Sequence, residues 1–226
     1  MEIMYSIVRF FAGGGAFMYP ILLVAAVGTA IAIERYVTLT WLTARNRSVW
    51  HQVQPALTNG DFDQAREMTS KDDTAISRLL SMGLARLGAV RRREDLEIAM
   101  EESMMEIVPQ LEKRTHYLAT FANLATLLGL LGTVSGLIHA FAAVATVNPA
   151  EKANLLSASI SEAMNCTAFG LMTAVPIVFV HALLQTKTTE LINSLETASV
   201  KFLNAITDRQ STRAQSRLGF AQAVER

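Results

Sequence analysis

The chain has 226 residues, 51% of them hydrophobic, with 20 Lys and Arg balanced by 20 Asp and Glu. Zero net charge points to neither nucleic acid nor an acidic partner. The lone cysteine, Cys166, excludes an internal disulfide, a CxxC motif and a zinc-ligand spacing.

The hydrophobic residues gather in three blocks, near 17–39, 117–145 and 159–184. Each exceeds the roughly 20 apolar residues with which a helix crosses a bilayer core about 30 Å thick. In chain order, residues 1–15 read as a short interfacial helix with Ile3, Ile7, Phe10 and Phe11 on one face, ended by Gly13-Gly14-Gly15. The first span, 16–40, holds Pro20 in its first turn, where a missing N–H costs little, and closes at a membrane boundary marked by Glu34 and Arg35. Upstream of it stand Glu2 and only Arg9, and the apolar run is longer than a leader requires, so the segment reads as a span and not as a cleaved signal.

Residues 41–115 read as a helical cytoplasmic region. Asn59-Gly60-Asp61 is a turn, followed by a helix from about Asp63. Ile76, Leu79, Leu80, Met82, Leu84 and Leu87 form an apolar stripe. The next helix starts near Arg93-Glu94-Asp95 and passes through Met100, Met104, Ile107, Val108 and Leu111. It is expected to kink at Pro109 and to continue without a break into the second span, 116–146. A loop over 147–158 leads to the third span, 159–185. An extension over 186–210 carries a seam of Leu191, Leu195, Ala198, Phe202 and Ile206, and the polar tail 211–226 is expected to be disordered. Eleven Lys and Arg lie between the first two blocks and one, Lys152, between the last two. The positive-inside rule therefore puts 41–115 and the C-terminus in the cytoplasm, and the N-terminus and the 147–158 loop on the periplasmic side.

The spans carry polar and small residues in register. Thr126, Thr133 and Ala140 are seven apart and share a helix face, with Gly129 and Gly136 beside it. Gly132 and Gly136 form a GxxxG pair, which permits close approach of another helix. In the third span Ile160, Ala163, Thr167, Gly170 and Ala174 make a small stripe suited to a pore or to a tightly packed partner. Glu162 is the acidic residue of this region; it either faces a cavity within the membrane or marks the outer end of the span. His139 falls near the outer end of the second span, where the reading favours an interfacial anchor. No Asp falls in any span, so a carrier carboxylate other than Glu162 has to come from a second protein. GxSxG, HExxH and paired His-Cys patterns are absent, and no Lys follows the glycines of 129–136, so the chain is expected to be no enzyme and to need no cofactor or metal.

The stretch from Leu128-Gly129 through Gly132-Thr133 and Gly136 to His139-Ala-Phe141 resembles the second-span signature of the ExbB/TolQ/MotA family of bacterial ion-channel subunits. Ile160-Ser-Glu162 through Thr167, Gly170 and Pro176 is similar to that family's third span. Gly14 through Glu34-Arg35 is similar to its first span, and Gly60-Asp61-Phe62 to a cytoplasmic turn. The likeness covers roughly residues 10–205 and is strongest to the ExbB and TolQ branch.

The resemblance implies an all-α membrane protein of three transmembrane helices with long cytoplasmic extensions, assembled as a homo-pentamer around a central pore in the bacterial inner membrane. The pore would hold two copies of a single-span ExbD/TolR-like partner whose Asp carries the proton. By motif position Thr133 and Thr167 would line the ion pathway with Glu162, and Gly129, Gly132, Gly136, Gly170 and Pro176 would serve packing of the pore-lining spans. The glycines Gly132, Gly136 and Gly170 would give the partner helix room to move. Ion flow driven by the proton-motive force would then move a TonB- or TolA-like arm. Two alternatives are a MotA-like stator subunit for flagellar or gliding motility and, from a different class, a helical membrane scaffold without conduction.

Overall fold

The computed structural model describes residues 10, 11, 13–87 and 92–224, with side chains to residue 209. Among them the chain is entirely helical. We number the helices α1 (Met18–Asn59), α2 (Phe62–Ser70), α3 (Ala75–Arg86), α4 (Arg93–Glu112), α5 (Thr115–Val144) and α6 (Pro149–Val224). Three stretches are long and apolar enough to cross a membrane: Met18–Asn59, Arg93–Val144 and Pro149–Arg209. Most of the expected interfacial helix lies outside the described residues. Phe10 and Phe11 are helical and meet Phe169 of α6 edge-on, with ring centroids 6.3 and 5.0 Å away.

The chain divides into two compact units, one of Met1–Tyr36 with Arg114–Gln185 and one of Val37–Lys113 with Thr186–Arg226. In the first, the apolar parts of α1, α5 and α6 pack through small residues. Gly28 of α1 is one such point: a Cβ there would stand 2.8 Å from Ile177 Cδ1 and 3.7 Å from Phe121 Cβ. The inward positions Met18, Ile21, Leu118, Ala122, Ala125, Ala163 and Leu184 are buried. Leu130, Leu131, Ile138, Phe141, Met172 and Phe179 point outward. Such an outward apolar face is what lipid or another membrane helix covers.

In the second unit, α2 and α3 start on side-chain caps. Asp61 Oδ1 accepts from the Gln64 N–H at 3.1 Å, and Thr74 Oγ1 from the Ser77 N–H at 3.3 Å. Gly60, at φ +69°, makes the turn before the first of them. The seam Leu191, Leu195, Ala198, Phe202 and Ile206 is fully inward. Phe202 lies on Gly83 and Met100, where a Cβ on Gly83 would come within 2.5 Å of its ring. Ile76, Leu79, Leu80 and Leu84 are buried, but Met82 is exposed, because it falls on the opposite side of α3 from that stripe.

Three expectations are corrected. The helix of the cytoplasmic region is not continuous with the second span: it holds Pro109 in its interior, ends at Glu112, and the break falls at Lys113 and Arg114. Arg114 has φ +69°, a left-handed conformation that cannot continue a right-handed helix. The loop expected over 147–158 shrinks, because α6 begins at Pro149, a first-turn position for which proline is pre-shaped. The tail is helical through Val224, not disordered; its Ala, Arg, Gln and Leu content favours a helix. Residues 225 and 226 lie outside the described residues.

Candidate functional site

The polar residues of the spans sit on α5 and on the stretch of α6 facing it. On α5, Ala122, Ala125, Gly129 and Gly132 recur at spacings of three and four and are buried. On α6, Ala163, Cys166, Gly170 and Ala174 do the same. With so little side chain between them, the backbones nearly touch. A Cβ on Gly170 would lie 2.7 Å from Ala125 O and 3.0 Å from Gly129 Cα. One on Gly129 would meet Gly170 Cα and Thr167 Cα, both at 3.3 Å. Gly132 is roofed by Cys166, and Gly136 by Ala163, whose Cβ would be 2.9 Å away. The room that the sequence reading reserved for a partner helix at Gly132, Gly136 and Gly170 is thus filled from within the chain. Pro176 is exposed on α6.

This approach lets the Thr167 hydroxyl cross between helices and donate to the Gly129 carbonyl at 2.9 Å. Thr133, half-buried, donates to Leu130 O of its own helix at 2.7 Å, and Thr126 to Ala122 O at 3.2 Å. Each hydroxyl hydrogen is therefore spent on a carbonyl, and the oxygen lone pairs remain as acceptors. Asn165 Nδ2 donates to the Gly13 carbonyl at 3.3 Å, and the buried Cys166 thiol fills the notch over Gly132.

Glu162 is exposed on the wall of a cavity of about 250 Å³ towards the end of the spans where α5 stops and α6 begins, and neither threonine lines that cavity. Its carboxylate rests against Gly15, in the space that a side chain at this position would take; Gly15 also has φ +71°. The same cavity is lined by Ser135, His139 and Ser159. His139 Nδ1 donates to the Ser135 carbonyl at 2.8 Å. The sequence placed Ser135 beside His139 and Ser159 beside Glu162, one helical turn apart in each case, but held no sign that the two pairs meet. At the other end, Glu34 pairs with Arg114 at 3.0 Å, and Arg35 is buried with its Nε unpaired among the described residues. A larger cavity, about 420 Å³ between Trp50, Lys201, Asn204 and Arg209, belongs to the second unit and holds none of the span residues. No cluster of metal-ligating side chains occurs among the described residues.

Comparison with known proteins agrees with this arrangement of motifs. The sequence model of the MotA/TolQ/ExbB proton channel family matches residues 71–197, more than half of the chain. The chain is 33% identical over 109 residues to the Tol-Pal system protein TolQ of Haemophilus influenzae, covering 48% of this chain and 46% of that protein. It is 30% identical over 171 residues to an ExbB-like biopolymer transport protein of Synechocystis, covering 73% and 65%. It is 26% identical over 174 residues to the biopolymer transport protein ExbB of Pseudomonas putida, covering 71% and 53%. The matched region spans between about half and two thirds of these relatives' length. With the second- and third-span motifs on one packed helix pair inside the matched region, the chain belongs to the MotA/TolQ/ExbB proton channel family.

Proposed function

We propose that the chain is the ion-channel subunit of an inner-membrane motor of the ExbB/TolQ kind, driven by the proton-motive force. It works with a single-span ExbD/TolR-like partner to energise TonB- or Tol-type transport. The observation that carries this reading is the state of the pathway threonines. With their hydrogens held by carbonyls, Thr133 and Thr167 offer oxygens that can only accept. Such oxygens suit a hydronium, a protonated carboxyl or a cation, and give an ionised carboxylate nothing to bind. A partner carboxyl would therefore dock protonated and leave when ionised, which couples its position to proton transfer. Each charge crossing 100 mV contributes about 2.3 kcal/mol to that motion.

The outward apolar faces of α5 and α6 support assembly around such a partner, as a pentamer with a central pore. The cation-rich 41–115 region supports a cytoplasmic C-terminal side and a periplasmic N-terminus. The relatives' names favour transport over a motility stator.

One observation favours the scaffold reading instead: the glycines already have a packing role inside the chain. Copurification of the full chain with the single-span protein encoded beside it, followed by native mass and proton-flux assays, separates the two. The channel reading expects a five-to-two assembly in which Thr133→Val and Thr167→Val assemble but lose flux. Normal flux in both variants, or an assembly that never takes up the single-span protein, defeats it.

A further inference from the structure

We infer that His139 is a proton-transfer residue, loading Glu162 through the 250 Å³ cavity the two share. The inference rests on the channel reading above and deepens it by naming where the proton enters the chain. Three observations place the imidazole in this role. It lines the same cavity as the Glu162 carboxylate, together with the hydroxyl-bearing Ser135 and Ser159. Of the two contacts at its Nδ1, the Ser135 hydroxyl at 3.4 Å and the Ser135 carbonyl at 2.8 Å, the shorter is to a group that only accepts; with the hydrogen on Nδ1 to meet it, Nε2 is the base. Finally, the cavity is large enough for water, which needs two or more polar partners to settle, and Ser135, His139, Ser159 and Glu162 stand on its mixed polar and apolar wall.

The charged group facing His139 from α6 is Glu162; the packed 13–17 stretch contributes Gly14, Gly15, Ala16 and Phe17, none of them titratable, and α5 adds no other charge to the cavity wall. The step balances without an electron change. A hydronium in the cavity gives its proton to Nε2 and leaves as water, forming an imidazolium. That Nε2–H passes, through a cavity water, to a carboxylate oxygen of Glu162. The imidazole returns to neutral and Glu162 becomes a carboxylic acid, which then gives the proton, through water, to an ionised carboxylate of the single-span partner and is itself a carboxylate again. The Nδ1–H stays on the Ser135 carbonyl throughout, so the ring needs no flip between turnovers.

The test is proton flux through the full chain assembled with its single-span partner in vesicles, measured against the pH on the cavity side. His139→Gln is expected to assemble with unchanged native mass, to lose roughly ten-fold or more of the flux, and to lose the dependence on cavity-side pH that the wild type shows. His139→Ala opens space beside Nε2's position. Its flux is expected to return on addition of imidazole to the buffer, and not of pyrazole, a ring of the same shape that is a far weaker base. Wild-type flux and pH profile in His139→Gln, or rescue of His139→Ala by both rings or by neither, overturn the inference and leave the channel reading standing. A wild-type assembly that moves no protons overturns both.

Discussion

Gly170→Ala is the sharpest probe of the helix pair that carries the threonines. The added methyl carbon would stand 2.7 Å from Ala125 O and 3.0 Å from Gly129 Cα, whereas ordinary contacts begin near 3.4 Å. Both obstacles are backbone, so no rotamer change makes room, and α5 and α6 have to part by several tenths of an ångström. Forcing a methyl into a filled interface costs about 1–3 kcal/mol. The same displacement stretches the Thr167–Gly129 bond beyond its 2.9 Å, a loss of about 0.6 and at most 1.7 kcal/mol for a membrane interhelical bond. Alanine returns about 1 kcal/mol through its better helix propensity. The net is a destabilisation of about 1–4 kcal/mol.

Gly132→Ala makes the control, because what overhangs Gly132 is mainly the side chain of Cys166. Adding Cys166→Ala should restore most of the stability lost in Gly132→Ala, whereas no side-chain truncation on the facing helix should rescue Gly170→Ala. Thermal unfolding of the purified full chain in detergent, as a double-mutant cycle, reads both. Gly170→Ala with wild-type stability, or additive effects at Gly132 and Cys166, would refute the packing argument.

Thr167→Val keeps the shape and removes the interhelical bond. It should cost no more than about 1–2 kcal/mol in the same unfolding assay, and a larger loss would make Thr167 chiefly a packing residue. Phe202→Ala empties a fully buried site against Gly83 and Met100 and should cost about 3–5 kcal/mol; proteolysis of the 37–113 region is a direct readout. The Arg78 guanidinium, bonded to both oxygens of Asp73 at 2.7 and 2.8 Å, holds that exposed carboxyl below its usual range. Because the folded value is depressed, the pair's small contribution is present above the unfolded carboxyl's titration, near pH 3.9, and is lost as pH falls through the folded value. Melting temperatures of Asp73→Asn and wild type should therefore differ slightly at neutral pH and converge in acid. A gap that widens in acid would reverse the assignment.

Much of this architecture was written in the sequence because its physics is local. Three apolar blocks can only be long helices, since a bilayer leaves no backbone polar group unpaired. The turn at Gly60 and the seam from Leu191 to Ile206 follow from chemistry within one or two turns of chain. Thr133, Thr167 and Glu162 were legible as polar exceptions in apolar surroundings. What the sequence left open was every question of which faces meet. Periodicity showed that Gly129, Gly132 and Gly170 lie on small-residue stripes, but not that they close on each other within one chain, because a glycine face fits its own neighbour and a foreign helix equally well. The break at Arg114 was hidden because arginine carries no turn signal and rarely adopts the left-handed conformation it has here. The meeting of His139 with Glu162 depends on the relative height and rotation of α5 and α6. That register is set by how deeply Cys166 and Ala163 seat over Gly132 and Gly136, a fact of three-dimensional packing that no spacing along the chain encodes.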